Sequence, residues 1–139
     1  MYWNKTATIA DLQTLSRETA AERCGVVFTQ IGDQWVEATI PLDARTRDLD
    51  GNLHPGALGV LAETIGSIAA SLTIDHSRRT CLGQILQINH PVRVSAGPVL
   101  ARASPVSILA DRQVWRIEMR DPGGAVVCAA HLTMVVLER

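Results

Sequence analysis

The chain carries little charge. Of its 139 residues, 19% are Asp, Glu, Lys or Arg, and Lys5 is the only lysine. A formal net charge of −1 removes the electrostatic case for nucleic acid or an anionic membrane as partner. Sparse charge beside 47% hydrophobic residues predicts that another subunit covers part of the surface. Cysteine is scarce too. Cys24, Cys81 and Cys128 are odd in number, widely spaced and form no CxxC pair, which excludes a disulfide framework. Cys81 and Cys128 lie in apolar, strand-like runs and read as buried thiols. The first dozen residues are polar and mixed, unlike a secretory leader, so a reducing, cytoplasmic setting is expected. Only 55–74 is long and apolar enough to suggest a membrane span. Glu63 in mid-run and its Gly, Ser and Thr content speak against that. The length suits a single domain over 1–139.

What is present reads in order. Residues 8–23 predict a helix, capped by Thr8, with Asp11 in the first turn and Gly25 as its stop. Two β-rich runs around Gly32-Asp33 predict a hairpin of strands 26–31 and 34–41. Residues 43–52 are polar and turn-rich. A long helix follows over 55–73, with Pro55 in the first turn, where its missing N–H is not needed. The remainder predicts strands at 80–91, 97–109, 112–121 and 125–137, the last three as an antiparallel meander, with a bulge or bend at Pro105. One long apolar helix beside an antiparallel sheet must bury itself on one face, giving an α+β fold in which the sheet curls around the helix.

That helix contains one carboxylate. At 100° per residue, Glu63 shares a face with Gly56, Gly59, Val60, Gly66, Ser67 and Ala70, while Leu58, Leu61, Ile65, Ile68 and Leu72 form the core stripe. Small neighbours leave a groove, with a carboxylate and a hydroxyl one turn apart. A carboxylate in an apolar groove is costly to keep unpaired, and is a candidate base or nucleophile. The bland alternative pairs Glu63 with an arginine from a partner strand and assigns the glycines to close helix packing. His54 at the helix start and Asp48 in the preceding loop are within reach of a ligand lying in the groove, against simpler roles as a capping histidine and a solvated loop acid.

Three stretches, IGDQWVEATIPLDARTRD, LHPGALGVLAETIGSIA and RQVWRIEMRDPGGAVVCAAHLTM, resemble the hotdog-fold acyl-CoA thioesterases, most closely the subgroup acting on aryl-CoA thioesters and the enterobactin proofreading enzyme. The resemblance runs from about Trp3 to Leu137. It implies a hotdog fold and thioester hydrolysis. Glu63 is then base or nucleophile, Ser67 helps position water, and His54 lies near the thioester. It also implies a site shared between subunits of a homodimer or dimer of dimers, with no cofactor and no metal. Substrate contacts are expected from Pro55, Gly56, Gly59, Arg93 and Arg112.

The chain departs from the family pattern in three places. Pro55 replaces a glycine whose N–H is the oxyanion donor, and proline has none. Asp48 replaces a glutamine that holds the thioester, and an ionised Asp only accepts hydrogen bonds. Leu109, Ala110 and Asp111 replace residues that meet coenzyme A phosphates, leaving Arg93 and Arg112 as the nearby cations. Delivery on an acyl carrier protein would relax the need for a nucleotide site. The alternative is a dehydratase, isomerase or cyclase of a biosynthetic pathway that uses Asp48, His54 and Glu63 as acid and base. A non-catalytic ligand-binding module ranks third.

Overall fold

In the computed structural model, which describes residues 3, 4 and 6–139, the polar start of the chain folds as two short helices, α1 (Ile9–Leu15) and α2 (Ala20–Arg23). The single helix expected over 8–23 is therefore broken. Thr8 caps α1 in a full capping box with Asp11, as its position suggests. Ser16 and Thr19 then divert their hydroxyls to the Leu12 and Ser16 carbonyls, and Glu18 adopts φ +59°. Such local side-chain bonds compete with helix continuation. Gly25, at φ +77°, turns the chain into the sheet.

Strands β1 (Val27–Ile31) and β2 (Val36–Ile40) form the expected hairpin, slightly shorter because the Gly32 N–H to Trp35 O bond of 2.8 Å closes a wider turn. Helix α3 (Pro55–Leu72) follows, then β3 (Arg79–Asn89), β4 (Val99–Ile108), β5 (Arg112–Arg120) and β6 (Val126–Glu138). All pairings are antiparallel, in the order β1-β2-β4-β5-β6-β3. The β4-β5-β6 meander is as expected, and the register slips between Pro105 and Ser107, since proline cannot donate to the ladder.

The sheet wraps α3, whose Leu58, Leu61, Ala62, Ile65 and Ala69 are buried against Ile117, Leu132 and Met134 of the strands. Each large side chain so buried contributes about 1.5–3 kcal/mol before entropy is counted. Half of α3 is buried inside the protein, so the one membrane-length helix among the described residues is the core helix. Its C-terminal end is tied down by a relay of bonds. Trp115 Nε1 donates to Gln113 Oε1, Gln113 Nε2 to Thr73 Oγ1, and Thr73 Oγ1 to the Ala70 carbonyl, at 2.9, 2.8 and 2.7 Å. Trp3 stacks on Trp115 at 6.2 Å. Strand β3 has β6 on one side, and its other edge pairs with no strand among the described residues. That edge exposes Leu82 and Ile85.

Candidate active site

The helix face differs from the expected one by part of a turn. Gly66 and Ala70 are buried. A Cβ at Gly66 would stand 2.6 Å from Leu132 Cδ2, so this glycine serves helix–sheet contact and does not line the groove. Ile68, expected in the core, is only half-buried. It lines a cleft of ≈ 500 Å³ together with Leu15, Ser67, Leu72, His76 and Cys81. The accessible face is therefore Val60, Glu63, Thr64, Ser67, Ile68 and Ser71. The apolar pattern alone cannot set this rotation, because small residues are compatible with either side.

Glu63 is half-buried. Ser67 Oγ donates to Glu63 Oε1 at 3.0 Å, with Met134 Sδ 3.8 Å from the same hydroxyl. Among the described residues, no ion pair involves Glu63. The carboxylate also lies against the Gly83 backbone of β3. Sequence reasoning overlooked Gly83. The available signal was a lone glycine inside a strand pattern, which marks a bulge or a close approach.

The second cluster gathers at the start of α3. The loop before it is rigidly built, with Asp48 N–H bonded to Asn52 O, His54 N–H to Thr46 O and Leu53 N–H to Val94 O, each at 2.7–2.8 Å. Asp48 Oδ1 accepts from the N–H groups of Asp50 and Asn52, both at 2.9 Å. This carboxylate shapes its own turn. His54 is the N-cap, and its Nδ1 accepts from Gly56 N–H at 2.8 Å. Ala57 N–H donates to His54 O at 2.9 Å. The first helical turn thus offers little backbone donor capacity: Pro55 has no N–H, and those of Gly56 and Ala57 are taken. With Nδ1 accepting, the neutral imidazole carries its proton on Nε2, so His54 itself presents a donor.

Asp48, Pro55, Leu58, His90 and Arg93 line a second cleft of ≈ 380 Å³. Arg93 pairs with Asp50 at 3.2 Å, both well exposed. Cys128 Sγ lies 3.7 Å from His90 Nδ1. Burial pushes the Cys128 thiol up to about 11 and raises Cys81 as well, so at neutral pH Cys128 stays an S–H. Gly59 is half-buried facing Ile88, and Arg112 is exposed at the start of β5. No cluster of His, Cys, Asp and Glu among the described residues is arranged to hold a metal.

One chain therefore brings Glu63 to Ser67, and Asp48 and Arg93 to Pro55, but keeps the two sets apart. His54 and Glu63 are nine residues from each other on one helix, about 13.5 Å along its axis. A half-buried carboxylate, a hydroxyl beside it and an imidazole donor are the parts of an acyl-transfer site.

Comparison with known proteins identifies the family. A family model described as the thioesterase superfamily matches residues 50–128. The chain is 35% identical over 137 residues to the proofreading thioesterase EntH of Cronobacter sakazakii, covering 99% of each. It is 34% identical over 137 residues to the 1,4-dihydroxy-2-naphthoyl-CoA hydrolase of Escherichia coli K12, covering 99% of this chain and 100% of that one. The crystal structure of a Haemophilus influenzae thioesterase superposes with a TM-score of 0.95 at 38% identity, over 99% of this chain and 96% of the other. With its sheet wrapped around α3 and its match across the segment that carries Glu63, Ser67 and the helix start, the chain is a hotdog-fold protein and belongs to the thioesterase superfamily.

Proposed function

We propose that this protein hydrolyses the thioester of an apolar acyl or aryl group, with Glu63 as base or nucleophile, at sites shared by two protomers. The carrying observation is the Glu63 carboxylate, half-buried and held by Ser67, with no cation paired to it among the described residues. As base, Glu63 takes a proton from water, the hydroxide adds to the thioester carbon, and collapse of the tetrahedral intermediate breaks the C–S bond, with the thiolate taking the proton. As nucleophile, Glu63 displaces the thiolate to form an acyl anhydride that water then cleaves. Either route develops negative charge on the carbonyl oxygen, and His54 Nε2–H is the donor suited to it.

In this reading the two clusters meet between chains. Strand β3 runs against α3, since Glu63 neighbours Gly83 and Gly59 neighbours Ile88. Antiparallel pairing of two β3 edges about a two-fold axis lays the Glu63 half of one helix over the N-terminal half of the other. The exposed Leu82 and Ile85 support this pairing, as does the low charge of the chain. A homodimer, or a dimer of such dimers, thus brings Glu63 and Ser67 of one chain to His54, Pro55 and Gly56 of the other. Residues 1–139 act as one catalytic domain. Three free thiols support a reducing, cytoplasmic setting.

The cleft of ≈ 500 Å³ beside Ser67 suits the acyl group. Arg93, held by Asp50, and the exposed Arg112 are the cations available to a phosphate-bearing carrier, coenzyme A or a carrier-protein pantetheine. Because Asp48 Oδ1 serves its own turn, the second acid needed for dehydration or isomerisation is not favoured. Release of free thiol from acyl-CoA and acyl-carrier-protein substrates tests the reading. Glu63→Gln is expected to lower kcat by roughly 10²–10⁴ with Tm unchanged; a fully active Glu63→Gln enzyme would refute it.

A further inference from the structure

The register slip in β3 lies where the helix carboxylate does. Gly83 opposes Met134 and Ile85 opposes Thr133, so Gln84 is an extra residue on the β3 side. A bulge of this kind bends its strand and re-aims its neighbours. A Cβ at Gly83 would stand 2.2 Å from Glu63 Oε1, 3.0 Å from Cδ and 3.2 Å from Oε2. No such atom fits beside the carboxylate. Unlike Gly25, Gly51 and Gly124, Gly83 does not have a positive φ, so its backbone conformation accepts any residue. What requires glycine here is space for the carboxylate. Oε1 is then bounded on two sides, by the Gly83 backbone and by the Ser67 hydroxyl at 3.0 Å.

We propose that Gly83 is a positioning residue: with Ser67 it fixes Glu63 Oε1 and leaves Oε2 as the oxygen that meets water or the thioester carbon. This rests on the reading of Glu63 as the catalytic carboxylate. A methyl group at position 83 collides with the far end of a flexible side chain, so Glu63 swings aside with little disturbance to the fold. The chemistry is less forgiving, because a misplacement of about 1 Å costs on the order of 10² in rate.

The test is a cycle on the purified full chain: Gly83→Ala, Glu63→Asp, the two combined, and Glu63→Gln, with kcat, KM, Tm and sedimentation measured for each. Gly83→Ala is expected to lower kcat about 10²-fold while KM, Tm and oligomeric state stay near wild type. Glu63→Asp also loses rate, but its shorter side chain no longer reaches the added methyl. Adding Gly83→Ala to it should therefore cost little more, and the two losses fall well short of multiplying. Losses that multiply, or full kcat in Gly83→Ala beside an inactive Glu63→Gln, overturn the positioning role alone. An active Glu63→Gln overturns the reading beneath it. If Gly83→Ala lowers Tm, Glu63→Ala in the same chain removes the collision and is expected to restore it; failure to do so, or a Gly83→Ala chain that loses its oligomeric state, also overturns the proposal.

Discussion

On the proposed reading of the site, proline at position 55 concentrates its chemistry in a few side chains. It removes one backbone donor, and the His54 ring occupies the next by capping Gly56 at 2.8 Å. The remaining donor is the imidazole Nε2–H. Pro55→Gly supplies a second one. Loss of a single oxyanion donor typically costs about 10²–10³, and a gain of roughly tenfold in kcat is expected where one donor is already present, read from thiol release. A gain of this kind would not arise if the site ran chemistry without an oxyanion. The buried thiols set a separate residue-scale expectation. Cys128 has its pKa raised from 9.0 to about 11 by burial. The folded state therefore holds this proton more tightly than the unfolded chain does. Its contribution is intact below pH 9 and is lost as pH rises through about 11, amounting to on the order of 2 kcal/mol. Urea midpoints between pH 8 and 10.5 should fall, and fall less steeply in Cys128→Ala.

Among the elements, the long helix was legible and the small helices were not. Residues 55–73 combine an apolar stripe with Pro at the first turn, two signals that agree, and α3 follows them to within one residue. Residues 8–23 had a good cap but no strong stripe, and Ser16, Glu18 and Thr19 break the run through local hydrogen bonds that no periodicity reports. The end of α3 depends on the relay from Trp115 through Gln113 to Thr73. Gln113 is 1% exposed, so its removal strands a buried indole N–H. Gln113→Ala is expected to destabilise the fold by about 1–3 kcal/mol for the unpaired group, with a further loss for the cavity, measured by urea unfolding, with no specific effect on substrate affinity.

At the scale of the molecule, the decisive feature is the open edge of β3. An exposed apolar edge strand invites pairing, and here pairing would also complete the site. Leu82→Lys with Ile85→Lys is expected to yield monomers by sedimentation and to abolish thiol release, although Glu63 and Ser67 remain in place. A sharper test mixes chains. Protomers carrying Glu63→Gln and protomers carrying His54→Ala, co-expressed, should regain activity that neither homodimer has, because one of the two sites in each mixed dimer is intact. A site contained within one chain would give no recovery.

The pairing of Glu63 with Ser67 was readable from sequence because a helix places residues four apart on the same face. The strand order of the meander followed from short connections, and the burial of 55–72 from its hydropathy. Those features depend on neighbours in the chain. The rotation of α3 that buries Gly66 and leaves Ile68 half-buried at the cleft, and the contact between Glu63 and Gly83, depend on groups far apart in sequence that meet only after the sheet closes. Local periodicity determined which residues the helix offers; packing against the strands decided which of them face the cleft and how the carboxylate is held there.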